Sequence, residues 1–510
     1  MQTLDPTAVN DNFCERLSKA AMGNTKLREI TIPTARLTSK GMEHLAIAIG
    51  RLEELRKLHL IIYLDTVTDL NVLFQNLRFK KPSNLLKLVM EMRDGQGPYT
   101  GVCPDAGPFL AGLKSVTHFY LKSPLRMDGH KVETVYRCIF PGIQENKSIT
   151  DVIYCGPDSV AREFATALSR NTSITKLNYS RMDNNNTRDE TGTVLSHAYL
   201  DNSNLTQIVL HDTDVAATFS EQLPRMNHLQ GFLLEDLRVI DISHCRMIAN
   251  GMCANNSVTK LQANFLDMDK QVVGEFLTGM KHVLHLNTAL KYFETCIELP
   301  HLADAGNDSG EARNANHGIF IRGFGDFVDG LKGNKTLMRV SCMNIDLDDA
   351  AAKVLGKAME HISIESLCLA SNHLNTAGYE DIVQGLKANT TIQYLDCADN
   401  NIDFTNPIHK QVRYYLSRNE IKAHVLLEKD MSPALFAQVL GKLNEKMYHK
   451  PRILEGAEGD DRLRRYLHAQ FPDYMHASAL SMRSRPKENW LSLMNYLVRE
   501  RADLLKPVNR

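Results

Sequence analysis

One apolar signature returns along almost the whole chain at a near-constant interval, and it limits the possible folds more than any single motif does. Three copies are the cleanest: TLMRVSCMNIDL, SIESLCLASNHL and TIQYLDCADNNI. Their leading residues, Leu337, Ile364 and Ile392, stand 27 and 28 residues apart, and Ile421 follows after 29. Upstream, the same cluster opens at Leu27, Leu55, Leu85, Val116, Ile149, Ile174, Leu205, Leu229, Val258 and Leu290, a step of about 30 residues. The Leu229 copy has a rival in LRVIDI from Leu237, but Leu229 leaves 29 residues to Val258 and is preferred. A unit of this length cannot bury an apolar face by itself. It must stack on its neighbours, and the chain is expected to be a solenoid.

Within each unit the period changes once. Apolar residues three and five positions after the anchor, as in Ile174, Leu177, Tyr179 or Val258, Leu261, Ala263, fit a strand whose alternate side chains point inward. A helical period follows. Val354, Leu355 and Ala358 share one helix face, as do Ile382, Val383 and Leu386, and Val272, Val273, Phe276, Leu277 and Met280. Long helices widen the outer side of each unit, so the stack should arch. The expected class is α/β, a horseshoe with a concave parallel sheet and convex helices.

Composition removes several functions. Lys+Arg number 59 against 60 Asp+Glu, without the basic excess of a nucleic-acid binder, so no nucleic-acid partner is expected. No apolar run reaches the roughly 18 residues of a membrane span. The start, MQTLDPTAVNDNF, lacks the basic and apolar stretches of a secretory signal. Ten cysteines are scattered with no C-x-x-C pair, which fits a reduced, cytoplasmic setting. Several N-x-[ST] triplets, such as Asn171 with Ser173 and Asn389 with Thr391, look like glycosylation acceptors; most arise because Asn precedes each strand.

The lead-in to the strands, NTSITKL, NKTLMRV and NTTIQYL, carries a resemblance. These units resemble ribonuclease-inhibitor-like leucine-rich repeats, strongly over residues 330–428 and more weakly over the rest of 20–428. They are similar to repeats common in proteins that intracellular bacterial pathogens inject into host cells, and in some protist proteins. The resemblance implies a protein-binding effector acting in a host cytosol. The asparagine that this family places after the second inward pair is present as Asn372 and Asn400. Elsewhere the slot holds Ala35, Thr213, Leu266 or Ile345, which predicts irregular turns in those units.

The expected organisation is an N-terminal capping segment (1–23), a solenoid of about 14 units (24–428) and a C-terminal helical cap or small all-α domain (429–510). Residues 93–108 and 181–190 interrupt the pattern. So does 300–318, PHLADAGNDSGEARNANHG, which is too polar and Gly/Asn-rich for a core element and is predicted to be a surface insertion. In the tail, Ser432-Pro433 suits a helix start, and Trp490, Leu493, Leu497 and Leu504 recur on one face.

No catalytic, cofactor or metal constellation emerges. There is no G-x-x-x-x-G-K-[ST] and no H-E-x-x-H, and His244-Cys245 alone lacks the spaced ligands of zinc. The glycines of RGFGDFVDG (322–330) are expected to start a helix through Phe324, Phe327 and Leu331. Some injected repeat effectors are ubiquitin ligases with a catalytic Cys-x-Asp, and Cys397-Ala398-Asp399 matches that tripeptide. Cys397, however, takes the inward slot that Leu369 holds one repeat earlier, where a thiol is buried and inert.

The leading expectation is therefore a non-enzymatic protein–protein recognition scaffold. Its candidate partner-binding residues on the concave face are His118, Tyr120, Lys176, His211, Lys260, Tyr292, Glu294, Arg339, Glu365, Tyr394 and Asp396. His59 and Lys122 share that orientation. The alternative is a ubiquitin-ligase-like effector whose repeats select a substrate and whose helical tail recruits the conjugation machinery.

Overall fold

A computed structural model describes residues 9–420, apart from 22–23, 25, 35–36, 65–66, 78–83, 94–101, 124–128, 182–189, 238–240, 267–269, 299–309 and 403–407. The described residues divide into two compact units. One holds 9–272 and 286–290, the other 273–285, 291–298 and 310–420.

The first unit opens with α1 (Asp11–Ala20), β1 (Glu29–Pro33), α2 (Ser39–Arg51), β2 (Lys57–Tyr63), α3 (Val67–Asn76) and β3 (Lys87–Arg93). Next come α4 (Ala106–Gly112), β4 (His118–Lys122), α5 (Gly129–Glu145), β5 (Asp151–Gly156), α6 (Ala161–Arg170) and β6 (Lys176–Arg181). It continues with α7 (Thr191–Asp201), β7 (Gln207–Leu210), α8 (Thr213–Ser220), β8 (Gly231–Leu237), α9 (Ile242–Ala254) and β9 (Lys260–Leu266). The second contains α10 (Lys270–Leu286) from Val273 to His285, then β10 (Tyr292–Glu298), α11 (Gly310–Gly333), β11 (Arg339–Met343) and α12 (Asp349–Ala358). It ends with β12 (Ser366–Cys368), α13 (Thr376–Ala388), β13 (Tyr394–Asp396) and α14 (Ile408–Glu420).

Within each unit every strand pairs in parallel with the next in chain order. Each of the thirteen strands begins two residues after its sequence anchor. β8 starts at Gly231, which settles the choice between Leu229 and Leu237. The fourteenth anchor, Ile421, and the tail from 429 lie outside the described residues. Inward residues form the core, with Ile174, Leu177, Tyr179, Val258, Leu261 and Ala263 all at 0% exposure. Of the predicted helix faces, Val272 and Val354 remain half-exposed, and their neighbours Phe276, Leu277 and Leu355 are buried.

Repeats are joined by a line of buried asparagines. The Asn171 side-chain NH2 donates to the Ile143 and Asn146 carbonyls, 2.7 Å each. Its Oδ1 accepts from the Ser173 and Ile174 backbone N–H at 2.7 and 2.8 Å. One amide thus ties carbonyls at the end of α5, in the repeat before, to the N–H groups of the turn that leads into β6, satisfying groups that a helix end leaves open. Asn146, Asn255 and Asn389 repeat this pattern of four bonds at equivalent positions. This is why Asn recurs ahead of the strands.

The turns leaving the strands differ between repeats. Asp236, Asn344, Ser371 and Asp399 share one offset, seven residues after the anchor, and all have left-handed backbone, with φ between 52° and 56°; Asp236 does so inside β8, where the pairing with β9 shifts register, and the others lie past the ends of their strands. After Ser371 and Asp399 come Asn372 and Asn400. The Asn372 NH2 donates to the carbonyls of Cys342, Leu369 and Ala370, and its Oδ1 accepts from the N–H groups of Ile345 and Leu347. Such turns end β12 and β13 after three residues. Where Leu266 fills the slot, the strand runs on for seven. Ala35 lies outside the described residues.

Two expectations for 300–330 are corrected. α11 begins at Gly310, so 310–318 is helical and not an irregular insertion, while 299–309 lies outside the described residues. The glycines of 322–330 do not start that helix, because they lie inside it. Gly323 packs against Gly274 of α10, and a methyl at either would run into backbone of the other helix. Their role is close helix approach.

Candidate functional site

The outward-facing strand positions divide between the units, and register sets which of them are neighbours. On the second unit one row reads Tyr292, Arg339, Ser366, Tyr394 and the next Glu294, Ser341, Cys368, Asp396. Tyr292 is 36% exposed and Tyr394 50%, while Phe293 and Leu395 between the rows are buried. The Arg339 guanidinium lies 5.7 Å from the Tyr292 ring centre, and the Tyr394 hydroxyl donates to Asp396 at 3.3 Å. Glu365 does not belong to these rows. It precedes β12, its carbonyl accepts from the Gln393 and Tyr394 N–H groups, and Ser366 holds the outward position of that repeat.

On the first unit His118, Tyr120, Lys176 and Lys260 all occupy outward strand positions. His211 lies one residue past β7, its Nε2 3.1 Å from Asn178 Oδ1, with Asp236 and Glu235 carboxylates 3.5 and 3.8 Å away. Lys176 Nζ is 3.9 Å from Asp151, and His59 Nε2 is 3.0 Å from Glu91. Burial lowers the His59 pKa, and the Glu91 carboxylate works against that fall. Burial raises the Tyr120 pKa, with Asp151 adding to the rise.

Sequence reasoning passed over Lys57 and Lys87. Both stand two residues after an anchor, the same offset as His118 and Lys176, so the signal was present. It also passed over apolar residues on this face. Val89, Val209 and Leu233 point outward yet are buried; Val89, Tyr120 and Ile153 make one apolar row, and Asn178 separates it from Val209 and Leu233.

Cys397 is buried one residue past β13, and burial followed by the Asp396 charge pushes its thiol well above the usual range. Such a thiol is a poor nucleophile. With iodoacetamide at pH 8, Cys397 is expected to label only after unfolding; rapid labelling of the native protein, read by peptide mass mapping, would contradict this burial. Among the described residues no three His, Cys, Asp or Glu side chains gather as metal ligands would. His244 contacts Asp214 at 3.0 Å and forms a helix cap with Asp241. Among the described residues no helix is long and apolar enough to cross a membrane.

No family model matches this sequence, and a search of curated proteins finds no significant match. Solved structures do show likeness. One is leiomodin-1 actin-binding site 2, at 15% identity and TM-score 0.26, over 36% of this chain and 92% of that one. Another is TLR13 in complex with ssRNA13, at 11% and 0.36, over 74% of this chain but only half of that one. A third is a Bacteroides fragilis protein, at 12% and 0.28, over 49% and 74%. The repeat period, the parallel ladders in chain order and the alternating helices give the described residues the fold of a leucine-rich-repeat solenoid.

Proposed function

We propose that the chain is a non-enzymatic protein-recognition scaffold that binds a macromolecular partner through its outward strand face. The observation that carries this reading is the exposure of Tyr292 and Tyr394 on ladder-bound strands, with Arg339 between them. Large aromatic and guanidinium groups left on a rigid surface lose little ordering entropy when covered, and they dominate interface energies. The setting suggested by resemblance, a bacterial effector acting on a host protein, belongs with this proposal. A ubiquitin-ligase role would fall to residues 429–510, and no observation on the described residues favours it.

Tyr292→Ala combined with Tyr394→Ala is expected to weaken partner capture about tenfold or more while leaving the melting temperature nearly unchanged. Capture is measured by affinity purification from the cytosol in which the protein acts, with the wild-type chain as reference. Unaltered capture would remove the site from this face.

A further inference from the structure

Positive charge gathers around one phenol ring on the first unit. Lys87 Nζ stands 3.9 Å from the centre of the Tyr120 ring and Lys122 Nζ 5.5 Å. Register accounts for the meeting. Lys57, Lys87 and His118 are successive neighbours across β2, β3 and β4, so Lys87 reaches diagonally over Tyr120. Lys122 follows two residues later on the same face of β4.

The acidic groups close by are engaged with other cations. Glu29 lies 3.4 Å from Lys57, and Asp151 pairs with Lys176. Glu91 stands opposite Lys122 in the register, yet it turns to His59 and to Arg93, 2.7 Å away. Among the described residues no carboxylate lies within 4.0 Å of Lys87 or Lys122. Burial lowers the Lys87 pKa and the neighbouring Lys57 charge lowers it further. Asp151 and Glu29 pull the other way, so the free protein holds Lys87 beside Lys57 at a cost, only partly offset, that an incoming anion would relieve. Lys87 is also partly desolvated already, so less hydration is lost when it pairs.

Resting on the scaffold reading above, we infer that Lys87, Lys122 and Tyr120 form the docking point for an acidic segment of a protein partner. Carboxylates of that segment meet the two ammonium groups, and the Tyr120 hydroxyl donates a further hydrogen bond. A protein segment suits the surroundings better than a nucleic acid. Tyr120 lies between Val89 and Ile153 in the apolar row, which gives interspersed apolar side chains a place to pack.

The test is fluorescence anisotropy with the full chain at about 50 mM salt. The probes are a labelled peptide of repeated Glu-Glu-Val units, its Gln-Gln-Val counterpart and a single-stranded oligouridine of equal charge. The Glu peptide is expected to bind about tenfold or more tightly than the Gln peptide and to weaken as salt rises. Lys87→Gln with Lys122→Gln should lower its affinity about tenfold, and Lys353→Gln with Lys357→Gln on α12 should leave it unchanged. Equal binding of Glu and Gln peptides, an unaffected Lys87/Lys122 variant, or oligouridine binding at least as tight would each overturn the inference. If the Glu peptide fails while the Tyr292/Tyr394 variant still loses capture, the acidic chemistry falls and the scaffold reading stands.

Discussion

Asn171→Ala is expected to lower the unfolding free energy of the first unit by about 3–5 kcal/mol. The side chain is 1% exposed and makes four hydrogen bonds to backbone of two successive repeats. Alanine strands two carbonyls and two N–H groups in the interior, and each buried group left without a partner costs about 1–3 kcal/mol. The Ser173 hydroxyl also donates to the Asn146 carbonyl at 3.2 Å and softens the loss at that oxygen. Urea denaturation measures the total, and hydrogen exchange at the Ile174 amide locates it. Asn204 belongs to the same kind of N-x-[ST] triplet but is exposed, so Asn204→Ala should change stability by less than about 0.5 kcal/mol. If both variants cost the same, the asparagine line does not hold the repeats together.

Tyr154→Ala should cost about 3–5 kcal/mol, for a different reason. Its ring is at 0% exposure, stacked 4.1 Å from Phe164 and 5.4 Å from Tyr179, with Tyr136 edge-on at 5.6 Å. Removing it opens a cavity where strand, helix and the next repeat meet, which such a packed interior cannot close. Tyr154→Phe keeps the rings and loses one 3.3 Å bond to the Pro157 carbonyl, a cost of about 1 kcal/mol. Thermal melts of the two variants separate packing from hydrogen bonding. A loss as large in Phe as in Ala would move the main contribution from the rings to the hydroxyl.

Strand placement was legible because each strand contributes inward residues at fixed offsets, and burial of those positions is what stacking demands. The core at Leu177 and Tyr179 or Leu261 and Ala263 follows directly. The helix of 310–333 was less legible. Its glycines at 322–330 read locally as a helix start, whereas the structure uses Gly323 and Gly274 to bring two helices together, a pairing of positions far apart in sequence. The candidate site was legible as a set of outward positions and not as a set of environments. Offset alone placed His118, Tyr120, Lys176, Tyr292, Arg339 and Tyr394 on strand faces. It shifted Glu365 by one residue, and nothing in the offset shows that Val209 is buried or that Glu91 turns from Lys122 to His59 and Arg93.

The buried asparagines also set up a race for any copy of this chain made in a compartment that attaches sugars to N-x-[ST]. Both amide hydrogens of Asn171, Asn255 and Asn389 are committed within the fold, so a glycan on any of them excludes the native seam there. A nascent chain would have to close each repeat before the modifying enzyme reached it, and one sugar added early would leave a permanent gap between two rungs. Secretion-route expression is thus a poor way to obtain this molecule intact, whatever its partner proves to be.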